Sequence, residues 1–394
     1  MFGWPRRPAI GYERLRNEFS NMPNVEIMRR LYRLKLINAG EPEFIYERPR
    51  VGLADLSKLE GMLLGIAIGD SLGNTTEFVP PDERSRRYGE IDYYLPNKHA
   101  NYKRLGVPSD DTQLSFDTLI VILKRGRLDM EELARVFSSH RIFGIGGTVK
   151  RFLRNYKDRK RPWFLSGVDS LGNGALMRIA PVIVSSLGNP QENLWADTVL
   201  ATMLTHNNPV CVGTSVAYMN LIRELLSSSS APDPHRMLEE FSDIVRKFTE
   251  HTKYEKMSLK PRRELRTKFS SHPWEYISET VTYGLENDMS VKDFSDTFGS
   301  SGHVIETTIT VLFTFAKYRD DPVEAMKKAV TYAKDNDSVA AILGAALGAL
   351  HGPSAFKPSW IWGLTGRIRE HDDGTVFNLI EQAKAFVVRG VKAP

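Results

Sequence analysis

Two segments of this chain carry glycine at every fourth position. "GMLLGIAIG" places Gly61, Gly65 and Gly69 four apart, and "GAALGALHG" does the same with Gly344, Gly348 and Gly352. A spacing of four lays residues along one helix face. Glycine costs a helix about 1 kcal/mol relative to alanine. A stripe of three is therefore unfavourable unless the missing side chains let a neighbouring backbone come close. The apolar runs here fall short of the roughly 18 residues expected of a membrane span. The expectation is a pair of buried helices packed tightly together at the centre of the fold.

Helical periodicity dominates from about residue 57 onward. It predicts helices over 57–70, 112–125, 129–139, 147–156, 174–187, 193–205, 209–227, 235–251, 274–285, 304–318, 322–335, 338–351 and 375–388. Alternating strand patterns are scarce, so residues 57–394 read as one all-α, multi-helix domain. The segment 253–273 reads as a basic, exposed connection.

Residues 1–56 differ. They mix arginines and aromatics, with prolines at 5, 8, 23, 42 and 49, and allow one amphipathic helix at 24–37 carrying Val25, Met28, Leu31, Tyr32 and Leu36. This stretch reads as an extension draped on the body or projecting from it. The 53 basic residues are nearly balanced by 48 acidic ones, which gives no argument for nucleic acid as a partner. With no span evident, no membrane is expected either. The single cysteine, Cys211, can form neither an intrachain disulfide nor a zinc cluster. A reducing compartment fits, and no apolar signal core follows the first positive charges, so the expected location is cytoplasmic.

Oxygen-bearing side chains collect at helix starts. Ser109, Asp110, Asp111 and Thr112 precede one apolar helix, and Asp335, Asp337 and Ser338 open the second glycine-striped one. Asp70 and Glu77 follow the first striped helix. One such residue before a helix is an ordinary cap for free N–H groups. Two adjacent carboxylates exceed what a cap needs. If the striped helices pack together, the three sites can converge, and hard oxygen ligands without Cys or His suit Mg²⁺ or Mn²⁺ rather than zinc. Spacing alone leaves a metal site and independent caps equally open. In "SLGNGALMRIAPVIV", Gly172 and Gly174 would let backbone approach a ligand. His206, just before another helix, can be a site residue or simply a structural one.

Seven segments in order resemble the ADP-ribosylglycohydrolase family, over about 57–390. They are "GMLLGIAIGDSLGNTTEF", "SDDTQLSFDTL", "GIGGTVKRFL", "GNGALMRIAPV", "THNNP", "SGHVIETTITVLFTF" and "DNDSVAAILGAALGALHG". The resemblance implies an all-α bundle with a binuclear Mg²⁺ site, for which Mn²⁺ can substitute, held by Ser109, Asp110, Asp111, Asp335, Asp337 and Ser338. Serine replaces the usual threonine at 109 and 338, and Ala333-Lys334 replaces a usual Gly-Gly. Glu306 stands where Asp is common, so no role is carried to it. The implied reaction is hydrolysis of the glycosidic bond between ADP-ribose and a protein side chain. Glu77 is the first candidate for the base, with Asp110 or Asp111 as the alternative. Gly172, Asn173 and Gly174 would contact the diphosphate or ribose, and Gly144, Gly146, Gly147, Thr148 and His206 would line the same pocket.

Two other functions share this metal cage: a non-catalytic ADP-ribose-binding or toxin-inhibiting relative, and a hydrolase of another ADP-ribose-containing small molecule. Some bacterial members of such a family are immunity proteins against ADP-ribosylating toxins. The extension, with Phe2, Trp4, Tyr12, Phe19, Tyr32, Phe44 and Tyr46 read as exposed, is accordingly expected to dock on a partner, an ADP-ribosyltransferase first among candidates.

Overall fold

The two glycine-striped segments form helices Leu56–Gly73 and Asn336–His351, which cross the middle of the molecule side by side. In the computed structural model, which describes residues 9–392, their pairing is set by the stripes. A Cβ built on Gly61 would lie 2.5 Å from the Gly348 carbonyl oxygen, one on Gly65 2.1 Å from that of Gly344, and one on Gly69 2.2 Å from that of Ala340. Gly73, beyond the stripe read from sequence, would meet the Asp337 backbone at 2.5 Å. As the first number rises the second falls, so the helices run antiparallel. The end of the first therefore lies against the start of the second.

Both helices are apolar on nearly every face and almost wholly buried. Residues 336–355 have the length and hydropathy of a membrane span, yet 83% of that window is buried inside the protein. Around this pair pack Asp110–Arg125, Pro209–Ser227, Val304–Tyr318, Pro322–Tyr332 and Thr375–Lys392. No β-strand occurs among the described residues, only isolated bridges, two of which fasten the loops beside the site: Val168 with His206 and Gly172 with His303.

Three expectations need correction or refinement. The continuous helix over 174–187 is instead two 3₁₀ turns, Leu176–Arg178 and Ala180–Val182, followed by the short helix Ile183–Gly188. Pro181 has no N–H and its ring opposes the preceding turn, which prevents an α-helix through that point. The 253–273 connection keeps its basic side chains exposed, as expected, and is also anchored: Phe269 packs edge-on against Phe298 at 5.3 Å, and Arg262 pairs with Glu306 at 2.7 Å.

The third correction concerns the extension. Phe2 and Trp4 lie outside the described residues. Most of its other aromatics are turned inward. Phe19 is 3% exposed and sits edge-on to Phe164, Tyr32 donates to the Gly40 carbonyl oxygen at 2.8 Å, and Phe44 packs between Trp195 and Phe248. Two helices, Ala9–Phe19 and Asn24–Arg33, bury Leu15, Ile27, Met28 and Leu31 against the body. The buried Asn24 amide donates to the Leu128 carbonyl oxygen and to Asp197 Oδ1. The extension is a strap integrated into the core.

Candidate metal centre

The antiparallel seam explains why separate acidic segments meet. It sets Asp70 and Glu77, from the end of the first striped helix, beside Asp335 and Asp337, from the start of the second. The helix Asp110–Arg125 is brought to the same point by Asp70, which is fully buried. Asp70 Oδ2 accepts from the Ser109 and Thr112 N–H groups at 2.8 and 3.1 Å and from the Thr112 hydroxyl at 2.5 Å. Its Oδ1 accepts from the Ser109 hydroxyl at 2.6 Å and from Asn74 at 2.9 Å. Asp70 thus caps a helix other than its own, satisfying orphan N–H groups, and its oxygens are engaged.

Carboxylate oxygens of Asp70, Asp111 and Asp337 lie within 4.8 Å of one another, as do those of Glu77, Asp335 and Asp337. Asp337 belongs to both groups. Such crowding opposes ionisation. Burial, followed by the charge of Asp110, holds the Asp111 carboxyl well above the usual range, and burial with Asp335 does the same to Asp337. Asp110 is raised by burial and Asp70, Asp335 by burial, and Glu77 is pushed up to about 7 by burial and then by Asp335 and Asp70. Asp111 Oδ1 is buried and has no hydrogen-bond partner. An orphaned carboxylate oxygen inside a cluster of hard oxygen donors is what a divalent cation satisfies. The residues fit the metal that the sequence resemblance implies.

The cluster opens into a cavity of about 380 Å³. Glu77, Asp110, Asp111, Gly144, Gly146, Gly147, Thr148, Gly172, Asn173, Gly174, His206, Asp335, Asp337 and Ser338 all line it. Ser109 does not. Its hydroxyl is turned to Asp70, and it lines the groove next door, although its oxygen keeps lone pairs to offer. Asn173 is also less available than expected. Both hydrogens of its amide are engaged, one on Asp335 Oδ2 at 2.7 Å and one on Thr307 at 3.0 Å. It orients an acidic ligand candidate and leaves only its oxygen for a substrate.

Glycine is required where the wall is thinnest. Gly144 has φ +81°, and a Cβ there would lie 2.8 Å from Asp110 Oδ1. Cβ atoms on Gly172 and Gly174 would crowd the His206 ring at 3.3 and 3.1 Å. That ring is held from behind by Thr205. Arg178, fully buried, donates from Nη2 to the Thr205 hydroxyl at 2.7 Å, and Thr205 Oγ1 lies 2.8 Å from His206 Nδ1. The hydroxyl has one hydrogen. It also has two lone pairs, so it can accept from Arg178 and still either donate to Nδ1 or accept from it. Burial, then the cations Arg178 and Arg151, push this imidazole down to about 3. A neutral histidine therefore stands among the glycines of the cavity wall.

Sequence reasoning assigned no role to Phe78, Met177, Ser301, Gly302 and Lys334, which also line the cavity. Ser301 and Gly302 open the "SGHVIETT" segment, and Glu306, left without a role, accepts from the Ser301 N–H at 2.9 Å and so pins that loop. Lys334, in place of glycine, sets an exposed ammonium at the rim.

A family model described as ADP-ribosylglycohydrolase matches residues 53–387. A glycohydrolase of Rhodospirillum rubrum named for ADP-ribosyl-dinitrogen reductase is 28% identical over 42% of this chain, and the chain spans 57% of that relative's length. An ADP-ribosylarginine hydrolase of Serratia proteamaculans is 26% identical over 83% of this chain and 79% of its own. Among solved structures, an ADP-ribosylglycohydrolase-related protein complex superposes with a TM-score of 0.61 at 22% identity, covering 85% of this chain and 98% of that one, which shows a shared fold.

Proposed function

The chain belongs to the ADP-ribosylglycohydrolase family, and from that membership we propose that it removes ADP-ribose from modified protein side chains, arginine first among them, with divalent cations as cofactor. The observation that carries the proposal is the buried carboxylate cluster, with its orphaned Asp111 oxygen, opening into a glycine-walled cavity. Two relatives named as ADP-ribosylarginine hydrolases, each aligned over more than three quarters of this chain, support the arginine linkage.

Asp110, Asp111 and the Ser109 oxygen would hold metal from one helix start, and Asp335, Asp337 and Ser338 from the other. Two Mg²⁺ ions, or Mn²⁺ in their place, would supply Lewis acidity and a fixed anchor for ribose hydroxyls. Glu77 lies at the cavity wall beside Asp335 and Asp337. As a carboxylate it accepts the proton of the attacking water while the bond from ribose C1″ to the side-chain nitrogen breaks and the guanidine leaves. The thin glycine wall admits the diphosphate close to backbone N–H groups, and His206, in its Nε2–H tautomer, would donate to a ribose or phosphate oxygen.

Reversal of a toxin's ADP-ribosylation in the cytoplasm is the setting we infer. Direct blockade of a transferase by the N-terminal strap is not carried forward, because Phe19 and Tyr32, among the aromatics expected to make that contact, are buried and Phe44 packs between Trp195 and Phe248. The test is release of ADP-ribose from proteins modified on arginine or on serine, with Mg²⁺ and with chelator, for the wild type and Glu77→Gln. Metal-dependent release from arginine, falling by about 10²-fold or more in the variant, is expected. Binding of ADP-ribose with no release from any substrate would favour the non-catalytic alternative.

A further inference from the structure

The cavity is not closed at Glu77. Glu77, Phe78 and Gly144 form a wall shared with a second, larger hollow of about 670 Å³. Lys98, His99 and Tyr102 line it on one side and Arg367, Arg369 and His371 on another.

The groove carries both signs, with Glu77 and Glu370 among its lining residues, and its cations gather around His99. Arg367 and Arg369 are answered by Asp373 and Asp117. Lys98 and Arg141 make no ion pair among the described residues, and the Arg141 guanidinium lies 5.3 Å over the ring of Phe143, another wall residue. The surroundings register these cations: burial first, then the charges of Lys98, Arg141 and Arg367, depress the His99 imidazole, with Glu370 alone opposing.

The groove also presents aromatic surface to solvent. Phe78 is 87% exposed and Tyr102 76% exposed. Asn101 and Tyr102 are consecutive non-glycine residues at φ +53° and +59°. Such conformations are disfavoured for side-chain-bearing residues, so the loop holds the Tyr102 ring outward at a cost. Aromatic rings beside unpaired cations are typical of binding surfaces.

Position fixes the occupant. With the ribose at the carboxylates and the rest of ADP-ribose along the glycine wall, the side chain that carries it would lie on the Glu77 side, next to the groove. We propose that this groove receives the polypeptide on which ADP-ribose is carried, and that it selects acidic residues flanking the modified side chain. This rests on the hydrolase function proposed above.

Two ADP-ribosylated arginine peptides, one flanked by aspartate and glutamate and one by lysine, provide the test alongside free ADP-ribosyl-arginine. The wild type is expected to show KM at least about tenfold lower for the acidic peptide, with a preference that shrinks at high salt. Lys98→Glu combined with Arg141→Glu, both exposed positions, should abolish the preference while turnover of ADP-ribosyl-arginine stays within about twofold. Tyr102→Ser should raise KM for both peptides and leave the small substrate alone. No preference in the wild type would overturn the proposal, and so would equal losses on peptide and small substrate, which would make the groove part of the nucleotide site. No turnover of ADP-ribosyl-arginine by the wild type would instead refute the hydrolase function itself.

Discussion

Replacing Gly65 or Gly344 by alanine adds one methyl group at the contact on which the fold turns. At Gly65 the new Cβ would stand 2.1 Å from the Gly344 carbonyl oxygen, and at Gly344 it would stand 2.3 Å from that of Gly65. Ordinary contact begins near 3.4 Å, so the deficits are 3.4 − 2.1 = 1.3 Å and 3.4 − 2.3 = 1.1 Å. The obstacle is backbone in both cases, and no side chain can swing aside. The helices must part by about 1 Å along a seam where both are buried. Overpacking typically costs 1–3 kcal/mol, and alanine returns about 1 kcal/mol of helix propensity. With a rigid obstacle the cost lies at the upper end, for a net loss of about 2 kcal/mol per substitution. The assay is urea unfolding, reading the midpoint at constant slope. Gly11→Ala is the control: it is helical with nothing within 4 Å of its Cβ, and a gain of up to about 1 kcal/mol is expected there. Because the seam also sets Asp70 and Glu77 against Asp335 and Asp337, the seam variants should bind Mn²⁺ more weakly and Gly11→Ala should not. Seam variants as stable as the wild type would refute the close-approach explanation of the stripes.

Removing residues 1–56 should give an insoluble or unfolded chain, since it exposes the surfaces covered by Phe19, Met28, Leu31 and Ile45, each worth about 1.5–3 kcal/mol; a soluble, cooperatively unfolding truncation would contradict this. Thr205→Val interrupts the chain from Arg178 to His206, so nitrogen NMR should show a changed balance of imidazole tautomers and ADP-ribose affinity should fall about tenfold. Asp197 is buried, with one oxygen unpartnered, and burial raises its pKa to about 7. The folded state then keeps a proton that the unfolded state has released, so the penalty is absent below about pH 4 and grows as pH rises through 7. Asp197→Asn should flatten that decline and stabilise the protein at pH 8 by on the order of 3 kcal/mol, measured by unfolding at pH 5 and pH 8.

What could be read in advance followed from repetition and spacing. The glycine stripes announced a close helix pair, and carboxylates at helix starts announced convergence once those helices were paired. Their antiparallel sense, which decides that Asp70 meets Asp337, appears only in the contacts of Gly61 with Gly348, Gly65 with Gly344 and Gly69 with Ala340. The roles of Asp70 and Asn173 were hidden because both act across long sequence separations, Asp70 on Ser109 and Thr112 and Asn173 on Asp335. The strap was misread because arginine and aromatic residues compose interfaces and cores alike. Phe19 and Phe44 face partners such as Phe164 and Trp195, which no local pattern connects to them. Helix Pro81–Tyr88 was missed because it buries only Arg84 and so carries no apolar stripe.

The most direct test is anomalous diffraction from crystals grown with Mn²⁺. Two peaks are expected, both within coordination distance of carboxylates from Asp110, Asp111, Asp335 and Asp337, with one of them on the now unpartnered Asp111 Oδ1. Density confined to surface carboxylates, with this cluster empty at saturating Mn²⁺, would contradict the claim that the helix pair exists to build a metal centre.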